Sequence, residues 1–145
     1  MKIFEAIRED HEKQRLLMKV LVETSGASPS REKFFKELKA ELAKHAIAEE
    51  RFFYIPLMDS DQTIEPSRHA IAEHHEIDEL VETLEKTDMS SSAWLTHMKT
   101  LQKRVLHHLN EEEHEFFQQA GKVLTAQQKE QLASSYRNEM LAHRA

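Results

Sequence analysis

The chain has 145 residues, a formal net charge of −6 and no cysteine, with 32% charged and 39% hydrophobic side chains. That length suits one domain with one core, and the missing thiols exclude disulfides, cysteine zinc sites, iron–sulfur clusters and thiol catalysis. The acidic balance argues against a nucleic-acid partner, no apolar run nears the roughly 20 residues that span a bilayer, and Met1–Glu5 lacks the apolar core of a secretion signal, so a cytoplasmic protein without membrane partners is expected.

Two glycines and three prolines are too few for a β-sandwich, a P-loop or a dinucleotide fold. Breakers cluster at Ser25–Ser30, Asp59–Pro66, Thr87–Ser92 and Gly121. Between them lie segments rich in Glu, Lys, Leu, Ala, Gln and Arg, all good helix formers. Ser28 or Ser30 can cap the second helix and Ser90 or Ser91 the fourth. Thr125 followed by Gln128 fits a capping box for a last helix over about 126–141. Short loops between long helices predict an all-α fold: an up-down-up-down antiparallel four-helix bundle over about 1–121 with a short C-terminal fifth helix, all one domain over 1–145. Leu124, Leu132, Tyr136, Met140 and Leu141 of the fifth helix are expected to pack on the bundle, since an isolated helix of that size is marginal in water. A homodimer is the alternative use of that face.

Alternating steps of three and four residues trace the inward seam of each helix. They give Phe4, Ile7, His11, Gln14, Met18 and Leu21 in helix 1, and Phe35, Leu38, Leu42, His45, Glu49, Phe52 and Pro56 in helix 2. Helix 3 gives Ala70, His74, Ile77, Val81 and Leu84; helix 4 gives Trp94, Met98, Leu101, Val105, His108 and Glu112. Every seam is interrupted by histidine, and in helices 2 and 4 a glutamate follows four residues later. Burying an unpaired carboxylate costs several kcal/mol or forces it to neutralise. Four histidines and two glutamates on facing seams therefore need a common partner, and a bound metal supplies one. The pattern is also a repeat: His45, Glu49 and Glu50 align with His108, Glu112 and Glu113, and His11 with His74, at a constant offset of 63.

His69, about 140° round the helix from His74, flanks the seam as a further candidate ligand of a centre wide enough for two metals. His107 and Glu111 lie on a polar seam and are read as solvated; His75, His97, His114 and His143 are read as exposed, with His75 close to the centre as the alternative. Glu50 and Glu113 are one step off the seam and are read as supporting or solvated. Phe52, Phe53, Tyr54, Phe116 and Phe117 are read as core that keeps water from one end of the site.

Histidine and carboxylate without sulfur suit iron, manganese or zinc. The donor count exceeds what one tetrahedral zinc needs and suits two irons bridged by the carboxylates. The residues Asp10-His11, His45-x-x-x-Glu49-Glu50, Glu73-His74 opening helix 3, and His108-x-x-x-Glu112-Glu113 resemble the hemerythrin-like, or HHE cation-binding, family. The resemblance implies two non-haem iron ions, oxo- or hydroxo-bridged, with His11, His45, His74 and His108 as terminal ligands and Glu49 and Glu112 as bridges. The invertebrate oxygen carriers of that family have HxxxH in helix 3 and HxxxxD in helix 4. This chain has His69-x-x-x-x-His74 and His108-x-x-x-Glu112 instead, so a five-histidine set rests on His69.

The function that follows is binding or sensing of O2 or a related small oxidant, with a diatomic or peroxide ligand as partner and a separate signalling protein to receive any signal. The alternatives are an enzyme acting on peroxide or nitric oxide or in iron-centre repair, and iron storage or delivery.

Overall fold

The computed structural model of the chain describes residues 1–142, so His143 lies outside the described residues. Five long helices form the molecule: α1 Ile3–Leu21, α2 Pro29–Glu49, α3 Ile64–Lys86, α4 Ser92–Glu111 and α5 Ala126–Ala142. α2 and α4 each run on into a five-residue π-helical turn, Glu50–Tyr54 and Glu112–Phe116, and then resume as α-helix over Ile55–Leu57 and Phe117–Val123. α1 packs on α2, α2 on α3, α3 on α4 and α4 back on α1. With short loops between them, that closed ring is the up-down-up-down antiparallel bundle. α5 lies outside the ring against α1, α2 and the first π turn. Among the described residues no helix is long and apolar enough to cross a membrane.

The helix starts follow local chemistry. Ser28 Oγ accepts from the Arg31 amide, with Pro29 at the first helical position, and Ser91 Oγ accepts from the Ala93 amide. Thr125 and Gln128 form the reciprocal capping box at 2.8 and 3.1 Å. α3 starts at Ile64, earlier than expected. Pro66 sits in its first turn, where no amide donor is needed. Glu73 and His74 therefore lie well inside α3 rather than opening it. Gly121 does not end α4 as expected; the helix passes through it to Val123 and stops where Leu124 turns extended. Gly26, at φ +60°, makes the α1–α2 turn in the left-handed region that favours glycine.

The seams bury as two clusters. One gathers Ile3, Ile7, Phe53, Tyr54, Leu57, Phe116, Phe117, Tyr136 and Met140 around the π turns and α5. The other gathers Met18, Leu21, Leu38, Leu42, Ile77, Leu84, Trp94, Met98 and Leu101 at the far end. Each large apolar side chain buried this way contributes about 1.5–3 kcal/mol. At that far end the buried Arg31 donates to Thr24 O at 2.6 Å, Thr24 Oγ1 at 2.9 Å and Met89 O at 2.8 Å, and lies 4.5 Å from the Trp94 ring centroid. It ties the α1–α2 loop to the α3–α4 loop. The stretch between the two clusters is polar, and it is there that the histidines and glutamates meet.

Candidate metal centre

α1 supplies His11, α2 His45 and Glu49, α3 His74, and α4 His108 and Glu112; all six are buried. His45 and Glu49, like His108 and Glu112, are four residues apart and so share a helix face. Their donor atoms form two overlapping groups, each with atoms mutually within 4.8 Å: His11, His45, Glu49 and Glu112, and Glu49, His74 and His108. Glu49 belongs to both. Its Oε1 lies 3.2 Å from His45 Nε2 and 3.1 Å from His74 Nε2. Glu112 Oε1 lies 3.2 Å from His11 Nε2, and Glu112 Oε2 lies 3.7 Å from His108 Nε2.

Each histidine turns Nε2 inward, and three hold Nδ1 on an outer partner. His11 Nδ1 is 2.6 Å from Glu113, which Arg15 also reaches at 3.0 Å. His108 Nδ1 is 2.8 Å from Glu73. His45 Nδ1 is 2.6 Å from the Tyr136 hydroxyl, which itself donates to Asp10 at 2.5 Å and so must accept from the imidazole. A carboxylate or an already-donating hydroxyl on Nδ1 leaves the Nε2 lone pair facing the centre, the arrangement of metal-binding histidines. His74 Nδ1 is 3.7 Å from Glu50, beyond a hydrogen bond.

The π turns bring in a residue that periodic stepping missed. From Glu49, steps of three and four lead to Phe52 and Pro56, yet those two are only half-buried while Phe53, Tyr54 and Leu57 are buried. A π turn bonds residue i to i+5, which brings Tyr54 round above Glu49. The Tyr54 hydroxyl lies between the two bridging candidates, 2.6 Å from Glu49 and within hydrogen-bond reach of Glu112. Expected only as core, Tyr54 is part of the site.

Burial would depress His11, but Glu112, Glu113 and Glu49 outweigh it and push its pKa up to about 9. Burial likewise opposes His74, and Glu49, Glu50 and Glu112 raise it to about 10. Glu49 is held well below the usual carboxylate range despite its burial, by His45, Glu112 and His74. Glu112 goes the other way, raised by burial and by the charge of Glu49. Burial, Glu112 and Glu49 hold the Tyr54 phenol well above 10.

A cation fits this donor set. Among the described residues His11 Nε2, His45 Nε2, Glu49 Oε2 and Glu112 Oε1 are buried without a hydrogen-bond partner. Each polar atom left so costs about 1–3 kcal/mol. A cation among them uses all four lone pairs and displaces the protons that the acidic surroundings hold on His11 and His74.

The remaining candidates fall elsewhere. His69 is not brought to the six: its side chain is 56% exposed, with Nε2 2.9 Å from Glu111. His107 and His75 point outward against Glu111 and Glu79 at 3.0 and 3.1 Å, and His114 is exposed, but His97 is half-buried rather than exposed. Glu73 and Asp10 were legible as outer partners: each is an acid directly before a seam histidine, at the same offset of 63. Nothing in the sequence pointed to Tyr136, because its role depends on where α5 docks.

Residues 2–120 match the family model described as the hemerythrin HHE cation binding domain. No curated protein matches the chain. Among solved structures it is similar to the crystal structure of a hemerythrin HHE cation binding domain-containing protein from Mycobacterium kansasii. The TM-score is 0.89 at 22% identity, covering 99% of this chain and 87% of that one. At that identity the likeness is one of fold.

Proposed function

The chain belongs to the hemerythrin HHE cation-binding domain family, and from that premise we propose that it holds two non-haem iron ions and uses them in the cytoplasm to bind or sense O2 or a related small oxidant. The observation that carries this reading is the pair of buried donor groups sharing Glu49. His11, His45, Glu49 and Glu112 would hold one ion, and Glu49, His74 and His108 the other. Nitrogen and oxygen donors without sulfur suit iron in this role. Two irons, when bound, supply reversible electron exchange with a small oxidant.

The protein's own part is to position and to exclude. Glu113, Tyr136 and Glu73 orient the imidazoles through their outer nitrogens. Beside the centre is a cavity of about 10 Å³ lined by Gln14, Leu42, His45, His74, Ile77, Val105 and His108 among others. That is room for one water-sized ligand. Leu42, Ala46, Ile77 and Val105 give it apolar walls next to the exposed Asp78, and among the described residues the buried Gln14 amide nitrogen beside it has no hydrogen-bond partner, so it can donate to such a ligand. At the opposite end Tyr54 holds a proton on its hydroxyl between the two carboxylates.

The test is metal content together with the visible spectrum of aerobically purified protein. Two irons per chain with charge-transfer bands are expected, and a reversible spectral change with O2 marks a binding protein. Turnover of peroxide or nitric oxide without such a change would replace binding by an enzymatic role. One zinc per chain, or no metal after growth in iron-rich medium, overturns the proposal.

A further inference from the structure

The two halves of the bundle are covered differently. α5 lies on the α1–α2 flank, where it buries Ala6 and Ala48 and sets Tyr136 against His45. On the α3–α4 flank the surface opens instead into a pocket of about 340 Å³. At the offset of 63 the counterparts of Ala6 and Ala48 are His69 and Glu111, and the counterpart of Lys2 is Glu65. All three line this pocket. The cluster is therefore not a by-product of the repeat: the positions that α5 hides as alanine carry metal-binding side chains where the flank is open.

Charge and depth give the pocket a direction. Glu65, Glu73, Glu111 and Glu115 line it together with His69, and among the described residues no lysine or arginine does. Its lining also includes His108 and Glu112, both buried members of the centre, and Glu112 Oε1 is without a hydrogen-bond partner. A cleft lined by one sign of charge, with low-dielectric walls, concentrates the opposite ion and raises its on-rate. Within it His69 Nε2 lies 2.9 Å from Glu111 Oε1 and 3.5 Å from Glu73 Oε1, all three donors within 4.8 Å of one another. Glu73 also takes the outer nitrogen of His108 at 2.8 Å, so the outer cluster touches the centre through a single side chain.

We propose that His69, Glu73 and Glu111 form a transit site for a divalent cation, through which metal reaches the buried centre. The proposal rests on the reading of the six buried residues as a metal centre. With three donors and an exposed histidine, the outer site holds a cation loosely, whereas the buried groups hold it with matched lone pairs and no competing water.

The test uses cobalt(II) as the probe, added to metal-free protein in limiting amount for the uptake rate and then in excess, followed by desalting, for the final stoichiometry, both read by visible absorption. In the double variant His69→Ala, Glu111→Gln the uptake rate falls by about tenfold, while the final stoichiometry and spectrum match the parent protein. In Glu65→Gln, Glu115→Gln, which keeps the donors and removes only charge, the rate falls less and its dependence on salt flattens. An unchanged rate in the first variant overturns the proposal. A lower final stoichiometry also overturns it, because His69 and Glu111 would then be ligands of the centre itself. Failure of the parent protein to take up any cobalt removes the metal centre and the transit site together.

Discussion

In the half built from α1 and α2, His45 reaches its outer carboxylate, Asp10, only through Tyr136, a side chain lent by α5. In the half built from α3 and α4, His108 meets the equivalent carboxylate, Glu73, directly at 2.8 Å. The inner ligands are matched residue for residue, yet one flank is covered by a helix, with a pocket of about 110 Å³ beside Tyr136, and the other opens to an acidic pocket of about 340 Å³. Duplicated ligands make a centre; unequal surroundings give it a covered side and a more open one. The crossed outer pairs show the same symmetry and the same breaking. His11 leans on Glu113 at 2.6 Å, while its counterpart His74 stands 3.7 Å from Glu50.

The comparison breaks most visibly at the glutamates. Glu49 is common to both donor groups and Glu112 belongs to one. Glu49→Ala should therefore lose all bound metal, whereas Glu112→Ala should retain at most one ion per chain, as read by metal analysis. Equal losses would show that the two carboxylates do equivalent work.

The outer partners come next. Glu73→Ala removes the acceptor that fixes the His108 tautomer and should weaken metal binding by about 10–100-fold in competition with a chelator. Tyr136→Phe should cost less, because Asp10 already stands 4.0 Å from His45 Nδ1 and can take over. A larger loss from Tyr136→Phe would mean that the α5 relay, not the carboxylate, orients His45.

A third test uses pH on the metal-free protein. His11 and His74 titrate near 6.5 when unfolded but at about 9 and about 10 in the fold. The native state therefore binds protons more tightly, and the stabilisation is complete below pH 6.5 and lost as pH rises through 9 to 10. The urea midpoint should fall across that range, while the apparent metal affinity rises because the same protons must leave. A midpoint that holds level from pH 7 to 10 would show that the two imidazoles are not charged in the fold. The smallest effect is expected at a pair where the halves do not matter: His75→Ala and its counterpart Glu12→Ala, both exposed, should each shift stability by no more than about 0.5 kcal/mol.

Much of this arrangement was legible in the chain. The breakers bounded the helices, and the interrupted seams named the six residues that the fold brings together. Two errors share one cause. Phe52 and Pro56 were placed inward and Tyr54 was left as ordinary core because the stepping assumed an unbroken α-helix, and the π turn after Glu49 shifts the register. His69 was within reach of a wide centre by angle alone; its distance from the other histidines depends on how α3 packs.

The sequence by itself determined what depends on periodicity and residue chemistry: the helices, their inward faces, the twofold ligand pattern and the need for a cation among buried carboxylates. These are local, since helix spacing sets which side chains share a face and burial energetics forbid leaving those groups unpaired. Only the tertiary structure decided which outer partner each imidazole meets, that Tyr54 stands between the glutamates, and that α5 covers one flank while the other stays open. Those outcomes rest on a register shift and on the docking of a fifth helix, and both are set by packing between segments far apart in the chain.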